Sequence, residues 1–341
     1  SSLKVQYECS PLDGIKRRIG DGIEISYARG YVGDTGGQFD GVSSGQNLKD
    51  DRSARQLIEE AVRIAQSADY VIFIGGLNKS GHQDEDTDRK GLELPYKQDK
   101  VIGALAKVNK NLIVVNISGN AVAMPWISEV PAVIQAWYLG TEAGNAIASV
   151  LVGDVNPSGK LPFTFPEKLE DVGAHQLGDY PGRQREDGIF DEKYNESIFV
   201  GYRWTDKQKI RPLFPFGHGL SYTTFAYGKA TVNKKVMKID EQIAITVPIT
   251  NTGKRIGSEI VQLYISDLKS SLPRPVKELK GFSKIQLAPG ETQEVTFLID
   301  KQALSFFNDS RHEWVAEPGK FEAQIAASAT DIKSKVTFEL E

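Results

Sequence analysis

Tyr70-Val71-Ile72-Phe73-Ile74 is apolar throughout, rich in β-branched and aromatic residues, and closed by Gly75-Gly76. A short run of this kind, ending on turn-forming glycines, reads as a strand buried on both faces of a sheet. Leu112-Ile113-Val114-Val115-Asn116-Ile117, ending at Ser118-Gly119-Asn120, is a second such run. Ala132-Val133-Ile134-Gln135-Ala136-Trp137, ending near Gly140, is a third. Around them apolar residues recur at helical spacing: Leu57, Ile58, Ala61, Val62, Ile64 and Ala65; Val101, Ile102, Leu105 and Val108; Ala146, Ile147, Val150 and Leu151. Strands alternating with helices of this length predict βαβ units, and so a parallel-sheet α/β domain with helices on both faces. Such sheets place ligands at the carboxyl ends of their strands. The loops that start at Gly75, Ser118 and Tyr138 are therefore where a site is expected.

Further along, the period changes from helical to two. Ile243-Ala244-Ile245-Thr246-Val247-Pro248-Ile249 alternates, and Asn251-Thr252-Gly253 supplies a turn. Runs at Ile260-Val261-Gln262-Leu263-Tyr264-Ile265, Glu294-Val295-Thr296-Phe297-Leu298-Ile299, Phe321-Glu322-Ala323-Gln324-Ile325 and Val336-Thr337-Phe338-Glu339-Leu340 follow, with turns at Pro289-Gly290 and Pro318-Gly319. About seven short strands with no helical pattern predict an antiparallel β-sandwich of fibronectin type III kind. The expected organisation is an α/β domain over residues 1–165, an irregular connecting segment over 166–224, and the sandwich over 225–341. Tyr180, Phe190, Tyr194, Phe199, Tyr202 and Trp204 make the connecting segment too aromatic for a disordered linker.

Composition narrows the function. Of the 341 residues 40% are hydrophobic and 25% charged, enough apolar material for packed cores. The formal charge of −4 leaves no basic footprint, so no nucleic-acid partner is expected. No apolar run approaches the roughly 18–20 residues a bilayer span requires, so no membrane-spanning helix is expected either. Cys9 is the single cysteine, which excludes an intrachain disulfide framework and a thiolate zinc cluster. No metal and no cofactor is expected. The chain starts Ser1-Ser2-Leu3-Lys4, without methionine, and is read as processed or as a piece of something longer.

The segment that can carry chemistry follows the first strand: Leu77-Asn78-Lys79-Ser80-Gly81-His82-Gln83-Asp84-Glu85-Asp86-Thr87-Asp88-Arg89, then Lys90-Gly91-Leu92-Glu93-Leu94-Pro95. Four carboxylates crowd beside a histidine and an arginine, at the catalytic end of a parallel strand. A short charge run is commonly a solvated face. A calcium loop would use Asp84, Asp86 and Asp88 at positions 1, 3 and 5, but Arg89 stands where the turn glycine belongs and Pro95 where the bidentate glutamate belongs. The third reading is a carboxylic acid held for proton transfer, its pKa raised by like-charged neighbours and partial burial. Arg89 could equally pin one carboxylate in its ionised form. Spacing does not choose the acid among these residues.

Glu85-Asp86-Thr87-Asp88-Arg89 followed by Leu92-Glu93-Leu94-Pro95 resembles the Glu-Gly-x-Asp-Arg and Leu-x-Leu-Pro motifs of glycoside hydrolase family 3, with Asp86 in place of the glycine. Other segments resemble the same family in the same order. They are Ser118-Gly119-Asn120-Ala121-Val122-Ala123-Met124-Pro125-Trp126, then Gly153-Asp154-Val155-Asn156-Pro157-Ser158-Gly159-Lys160-Leu161-Pro162. Next comes Tyr194-Asn195-Glu196-Ser197-Ile198-Phe199-Val200-Gly201-Tyr202-Arg203, where Ser197 replaces a glycine. Pro215-Phe216-Gly217-His218-Gly219-Leu220-Ser221-Tyr222-Thr223-Thr224-Phe225 and Arg274-Pro275-Val276-Lys277-Glu278-Leu279-Lys280-Gly281-Phe282 complete the set. The resemblance covers nearly the whole chain.

The resemblance implies the C-terminal portion of a β-glucosidase or β-xylosidase: an α/β sandwich and a fibronectin-like domain, without the N-terminal barrel that bears the family's aspartate nucleophile. It implies that Glu85 is the general acid/base, that the barrel is supplied in cis or as a separate chain, and that the substrate is an oligosaccharide or other glycoside. It also favours a periplasmic or secreted setting. His82, Asp84, Asp86, Asp88 and Arg89 are expected to bind substrate or shape the loop, with Asp88 and Arg89 paired. His218 is expected to pack at the domain junction, residues 156–162 to close a turn beneath the site, and Trp126, Trp137, Trp204 and Trp314 to anchor cores or junctions. Two classes of function follow: hydrolysis together with a barrel, or a non-catalytic carbohydrate-binding or scaffolding module.

Overall fold

β1 (Val71–Gly76), β2 (Leu112–Ile117) and β3 (Ala132–Gln135) form a parallel sheet in the order β1-β2-β3. The structure, a computed structural model, describes residues 6–33, 49–77 and 89–341. It divides into two units, Ser1–Val155 and Asn156–Glu341. In the first, the central strand β2 is the one that meets the expectation of burial on both faces: Leu112, Val114 and Val115 are each at most 1% exposed. Among the described residues, β1 and β3 have a strand neighbour on one side, and there Ile72 and Ala132 are exposed. β3 is also shorter than expected, because Trp137 turns to a φ of 57°, which no strand accommodates.

Helices α1 (Pro11–Ile19), α2 (Ala54–Ser67), α3 (Gln98–Val108) and α4 (Ala143–Leu151) surround this sheet. Ser53 and Gln56 form a capping box at the start of α2, and Leu57, Ala61 and Ala65 make its buried stripe. α3 packs on β1 and β2, with the Gln98 side chain against Gly75. α4 sends Ile147 into a cluster with Val115, Ile74 and Ile134. Ile74 and Gly75, successive along β1, point to opposite faces, so the sheet carries a helix on each, as the alternating pattern predicts. α1 and α4 meet at glycines. A Cβ on Gly14 would lie 2.2 Å from the Gly144 carbonyl carbon, and one on Gly144 2.1 Å from the Ser10 carbonyl oxygen.

The second unit opens with the connecting segment, where α5 (Gly173–Gln176), the hairpin β4 (Arg183–Gln184) and β5 (Phe190–Asp191), and α6 (Tyr202–Gln208) interrupt irregular backbone. Its aromatics divide. Phe199 and Trp204 are buried and Tyr202 stacks on Phe216, whereas Phe190 and Tyr194 are exposed.

A β-sandwich follows: β6 (Phe225–Tyr227), β7 (Thr231–Val232), β8 (Val236–Met237), β9 (Ile243–Asn251), β10 (Gly257–Asp267), β11 (Glu278–Leu287), β12 (Thr292–Ile299), β15 (Gly319–Ser328) and β16 (Asp331–Leu340). One sheet runs β11-β10-β15-β16-β8; the other runs β12-β9-β6, with β7 also on β9. The turn of helix α7 (Lys301–Leu304) and the hairpin β13 (Phe306–Asn308) and β14 (Glu313–Val315) lie between β12 and β15. β9 keeps strict alternation, with Ile243, Ile245, Val247 and Ile249 fully buried against Val261, Leu263, Phe321, Ile325 and Phe338 of the opposite sheet. Two features differ from the sequence reading. β8 pairs parallel to β16, and β11, absent from the expected strands, is a largely polar edge strand bonded to β10.

Beneath this sandwich edge lies an ionic cluster. Arg274 bonds Asp267 (3.1 Å), Glu278 (2.8 Å) and the Leu304 carbonyl (3.0 Å), with the Arg274 and Asp267 side chains 8% and 3% exposed. Arg203 of α6 also reaches Glu278, and Lys277 pairs with Asp206 of α6. Burial works against the Glu278 charge, but the bonds from Arg274 and the nearby Lys280 and Arg203 hold its carboxyl below the usual range.

Candidate functional site at the carboxyl edge of the parallel sheet

Each strand of the parallel sheet ends in a distinct device. At the end of β1, Gly76 takes a φ of 139°, and a Cβ there would fall 2.0 Å from the Ile117 carbonyl oxygen, so only glycine fits. Gln98, the first residue of α3 and fully buried, clamps this glycine with both ends of its amide. The Gly76 N–H donates to Gln98 Oε1 and Gln98 Nε2 donates to the Gly76 carbonyl, each at 2.7 Å. The next N–H, that of Leu77, donates to the Ile117 carbonyl (2.8 Å). Tyr31 donates to the Ile74 carbonyl (3.3 Å), and burial pushes its hydroxyl pKa up to about 12, keeping it a donor.

At the end of β2, polar side chains form a buried knot. Asn116 Nδ2 donates to Ser118 Oγ (2.8 Å) and to Gln135 Oε1 of β3 (2.7 Å). Gln135 Nε2 donates to Ser118 Oγ and to the Ser118 carbonyl, and Ser118 Oγ donates to the Asn120 carbonyl (2.9 Å). The knot fixes the loop after β2 against β3.

Of the expected site residues, Arg89 is described; His82, Asp84, Glu85, Asp86 and Asp88 lie outside the described residues. Arg89 is half-buried, and among the described residues its guanidinium donates to neutral acceptors. Nε and one terminal nitrogen donate to the Gly91 carbonyl (3.1 and 3.0 Å), that same nitrogen to the Ala121 carbonyl (3.1 Å), and the other to Asn120 Oδ1 (3.0 Å). Burial lowers its pKa, with Glu93 and Tyr138 acting the other way. The chain beyond it is strapped down in turn. The Ala123 N–H donates to the Leu92 carbonyl (2.7 Å) and the Leu94 N–H to Asp99 Oδ2 (3.3 Å), while Asp99 Oδ1 accepts from Trp126 Nε1 (2.8 Å). Both positions flanking the acidic segment, Gly76-Leu77 and Arg89, are thus anchored at the carboxyl edge of the sheet.

Gln98, Asn116 and Gln135 were not singled out from the sequence. For Asn116 and Gln135 a signal exists: each is a polar residue near the carboxyl end of an otherwise apolar strand. Gln98 has none, since a glutamine in a first helical turn is ordinary.

A separate cavity of about 220 Å³ is lined by Tyr31, Asp50, Arg52, Leu57, Tyr96 and Lys97, among others. Side-chain and backbone hydrogen bonds from Arg52, with Arg29 nearby, hold the Asp50 carboxyl well below the carboxylate range.

The remaining expectations fare differently from one residue to the next. Residues 156–162 do not form a turn of the first unit. Asn156 accepts from Ser221 and Tyr222 and donates to the Ile256 carbonyl, and Lys160 pairs with Glu259 (2.9 Å), all within the second unit. His218 stacks on Phe214 there, and burial, helped by Lys160, lowers its pKa against the pull of Asp331. Trp126 and Trp204 are core residues, but Trp314 is 65% exposed.

Comparison with known proteins places this architecture. Residues 1–222 match the model of the glycosyl hydrolase family 3 C-terminal domain, and residues 259–329 that of a fibronectin type III-like domain. The chain is 52% identical to β-glucosidase BoGH3A of Bacteroides ovatus over 99% of its own length and 44% of that protein's. It is 41% identical to thermostable β-glucosidase B of Acetivibrio thermocellus, over 94% and 40%. Among solved structures it is similar to the family 3 β-glucosidase of Bifidobacterium adolescentis, with a TM-score of 0.84, 33% identity, and coverage of 98% of this chain and 46% of that one. The chain spans less than half the length of these relatives. With an α/β unit, a fibronectin-like sandwich and these matches, it belongs to glycoside hydrolase family 3, of which it is the C-terminal portion.

Proposed function

We propose that this chain is the acid/base-bearing part of a retaining exo-β-glycosidase of β-glucosidase type, acting with an N-terminal barrel that supplies the aspartate nucleophile. The relatives' names supply the reaction class; the anchoring at the carboxyl edge supplies the chemical reason. A general acid must be held at hydrogen-bond distance from the glycosidic oxygen. Here the chain is pinned immediately before the acidic segment by Gln98 on Gly76, and immediately after it by Arg89 on Asn120 and Ala121. A solvated surface excursion has no need of two such anchors. This is the observation on which the reading rests.

In this mechanism Glu85 protonates the leaving glycosidic oxygen while the barrel aspartate attacks the anomeric carbon. Glu85 then takes a proton from water, which releases the sugar from the aspartate. We assign His82, Asp84, Asp86 and Asp88 to binding substrate or shaping the segment, and Arg89 to fixing its end. The 341 residues by themselves hold one half of the carboxyl pair, so no turnover is expected from them.

The test is Glu85→Ala in a protein comprising this chain and its barrel. We expect hydrolysis of cellobiose, whose leaving group needs protonation, to fall by about 10²–10⁴-fold. Dinitrophenyl β-glucoside should lose far less in the bond-breaking step, and azide should restore turnover as glycosyl azide. Equal loss on both substrates without azide rescue would remove Glu85 from the acid/base role.

A further inference from the structure

The backbone just past β3 is strained. Trp137 holds a φ of 57°, and Gly140 closes the turn at a φ of 72° that glycine adopts freely. A bulky side chain in the left-handed region is rare and persists only where the surroundings enforce it, commonly at functional edges. These two residues bracket Tyr138 and Leu139, which the turn presents to solvent, 55% and 42% exposed. A singly exposed aromatic is unremarkable in itself, but Tyr138 is seated. Its ring lies over Gly119 of the loop after β2, where a Cβ would fall 2.7 Å from ring atom Cε2 and 3.3 Å from Cδ2. That loop is the one held by the Asn116–Ser118–Gln135 knot and gripped through Asn120 by Arg89. Tyr138 is also near enough to Arg89 to act on its charge. An aromatic ring is therefore fixed at the carboxyl edge, between two anchored loops and beside the residue that ends the acidic segment.

We propose that Tyr138 is a specificity-determining residue whose exposed ring receives the leaving-group side of a β-glycoside, either the apolar C–H face of a sugar ring or an aryl aglycone. The inference rests on the acid/base reading above. A general acid meets the substrate at the glycosidic oxygen, the atom that joins glycone to leaving group. A flat apolar surface on the same sheet edge, beside the Arg89 that follows the acidic segment, is placed for the half that departs. The glycine seat matters because any side chain at position 119 would displace the ring.

The experiment compares three substrates with the protein comprising this chain and its barrel: cellobiose, 4-nitrophenyl β-glucoside and methyl β-glucoside, whose leaving group has no ring. Tyr138→Ala is expected to lower kcat/KM for the first two by roughly 3- to 10-fold, mainly through KM, and to leave methyl β-glucoside unchanged. Tyr138→Phe keeps the ring and should behave as wild type. Gly119→Ala, which leaves Tyr138 itself intact, should reproduce the selective loss by pushing the ring aside. An equal loss on all three substrates, or none on any, would overturn the proposal. Failure of the acid/base reading shows separately, as insensitivity of Glu85→Ala to leaving-group acidity.

Discussion

Two glycine-to-alanine substitutions, in helices on opposite faces of the parallel sheet, should move stability in opposite directions. Alanine is intrinsically worth about 1 kcal/mol more than glycine inside a helix. At Gly103 in α3 no described atom outside the helix's own local backbone lies within 4 Å of the new Cβ, so that gain should be realised almost whole. At Gly144 in α4 the Cβ would fall 2.1 Å from the Ser10 carbonyl oxygen and 2.6 Å from that of Cys9. The first contact is more than 1 Å too close, and both obstacles are backbone. They are also committed: the Cys9 carbonyl accepts from the Gly144 N–H and the Ser10 carbonyl from the Gly14 N–H. Relief requires α1 to move away from α4, and overpacking of this kind costs about 1–3 kcal/mol. With rigid backbone on the far side we take about 3, which leaves a net loss of about 2 kcal/mol after the helical gain. Hydrogen exchange followed peptide by peptide localises the effect. Protection across α1 and α4 should fall by about 30-fold in Gly144→Ala, while protection across α3 should rise by about 5-fold in Gly103→Ala. If Gly144→Ala left protection unchanged or raised it, the close α1–α4 crossing would be wrong.

Two further expectations concern the second unit. Arg274→Met removes the partner of Asp267 and one partner of Glu278 in a buried cluster, and should cost about 3–5 kcal/mol, read as a lower urea midpoint; a loss below about 1 kcal/mol would mean the cluster is solvated. For His218 the folded pKa is depressed, so the unfolded chain binds more protons as pH drops through the histidine range. Its contribution is fully present above the unfolded pKa of about 6.5 and is lost on acidification below it. Replacing His218 with phenylalanine should therefore flatten the fall in thermal stability between about pH 7 and pH 5, and an unchanged slope would assign that fall to other groups.

The layers of the fold were legible because burial imposes periodicity. Ile243 to Ile249 of β9 alternate because one face of that strand meets the opposite sheet, and Leu57, Ala61 and Ala65 recur because one stripe of α2 faces inward. β11 escaped notice because an edge strand of the sandwich buries little beyond Ile285 and Leu287, so its sequence reads as polar coil. The exposure of Ile72 has the same origin: an apolar strand reads identically whether it lies at the middle or the edge of a sheet. Trp314 and Trp126 are the same residue type with opposite fates, one on the outward face of a hairpin and the other bonded to Asp99.

The candidate site divides along the same line. Its position at the strand ends, its carboxylate-rich segment and its family were all written in the order of residues along the chain, because strand, turn and motif are local properties. Its anchors were not. That Gln98 would grip Gly76 across 22 positions, that Arg89 would reach Asn120 across 31, and that Tyr138 would lie over Gly119 depend on which strand ends are neighbours. Adjacency of that kind is created when the sheet assembles in the order β1-β2-β3, and no stretch of the chain carries it alone.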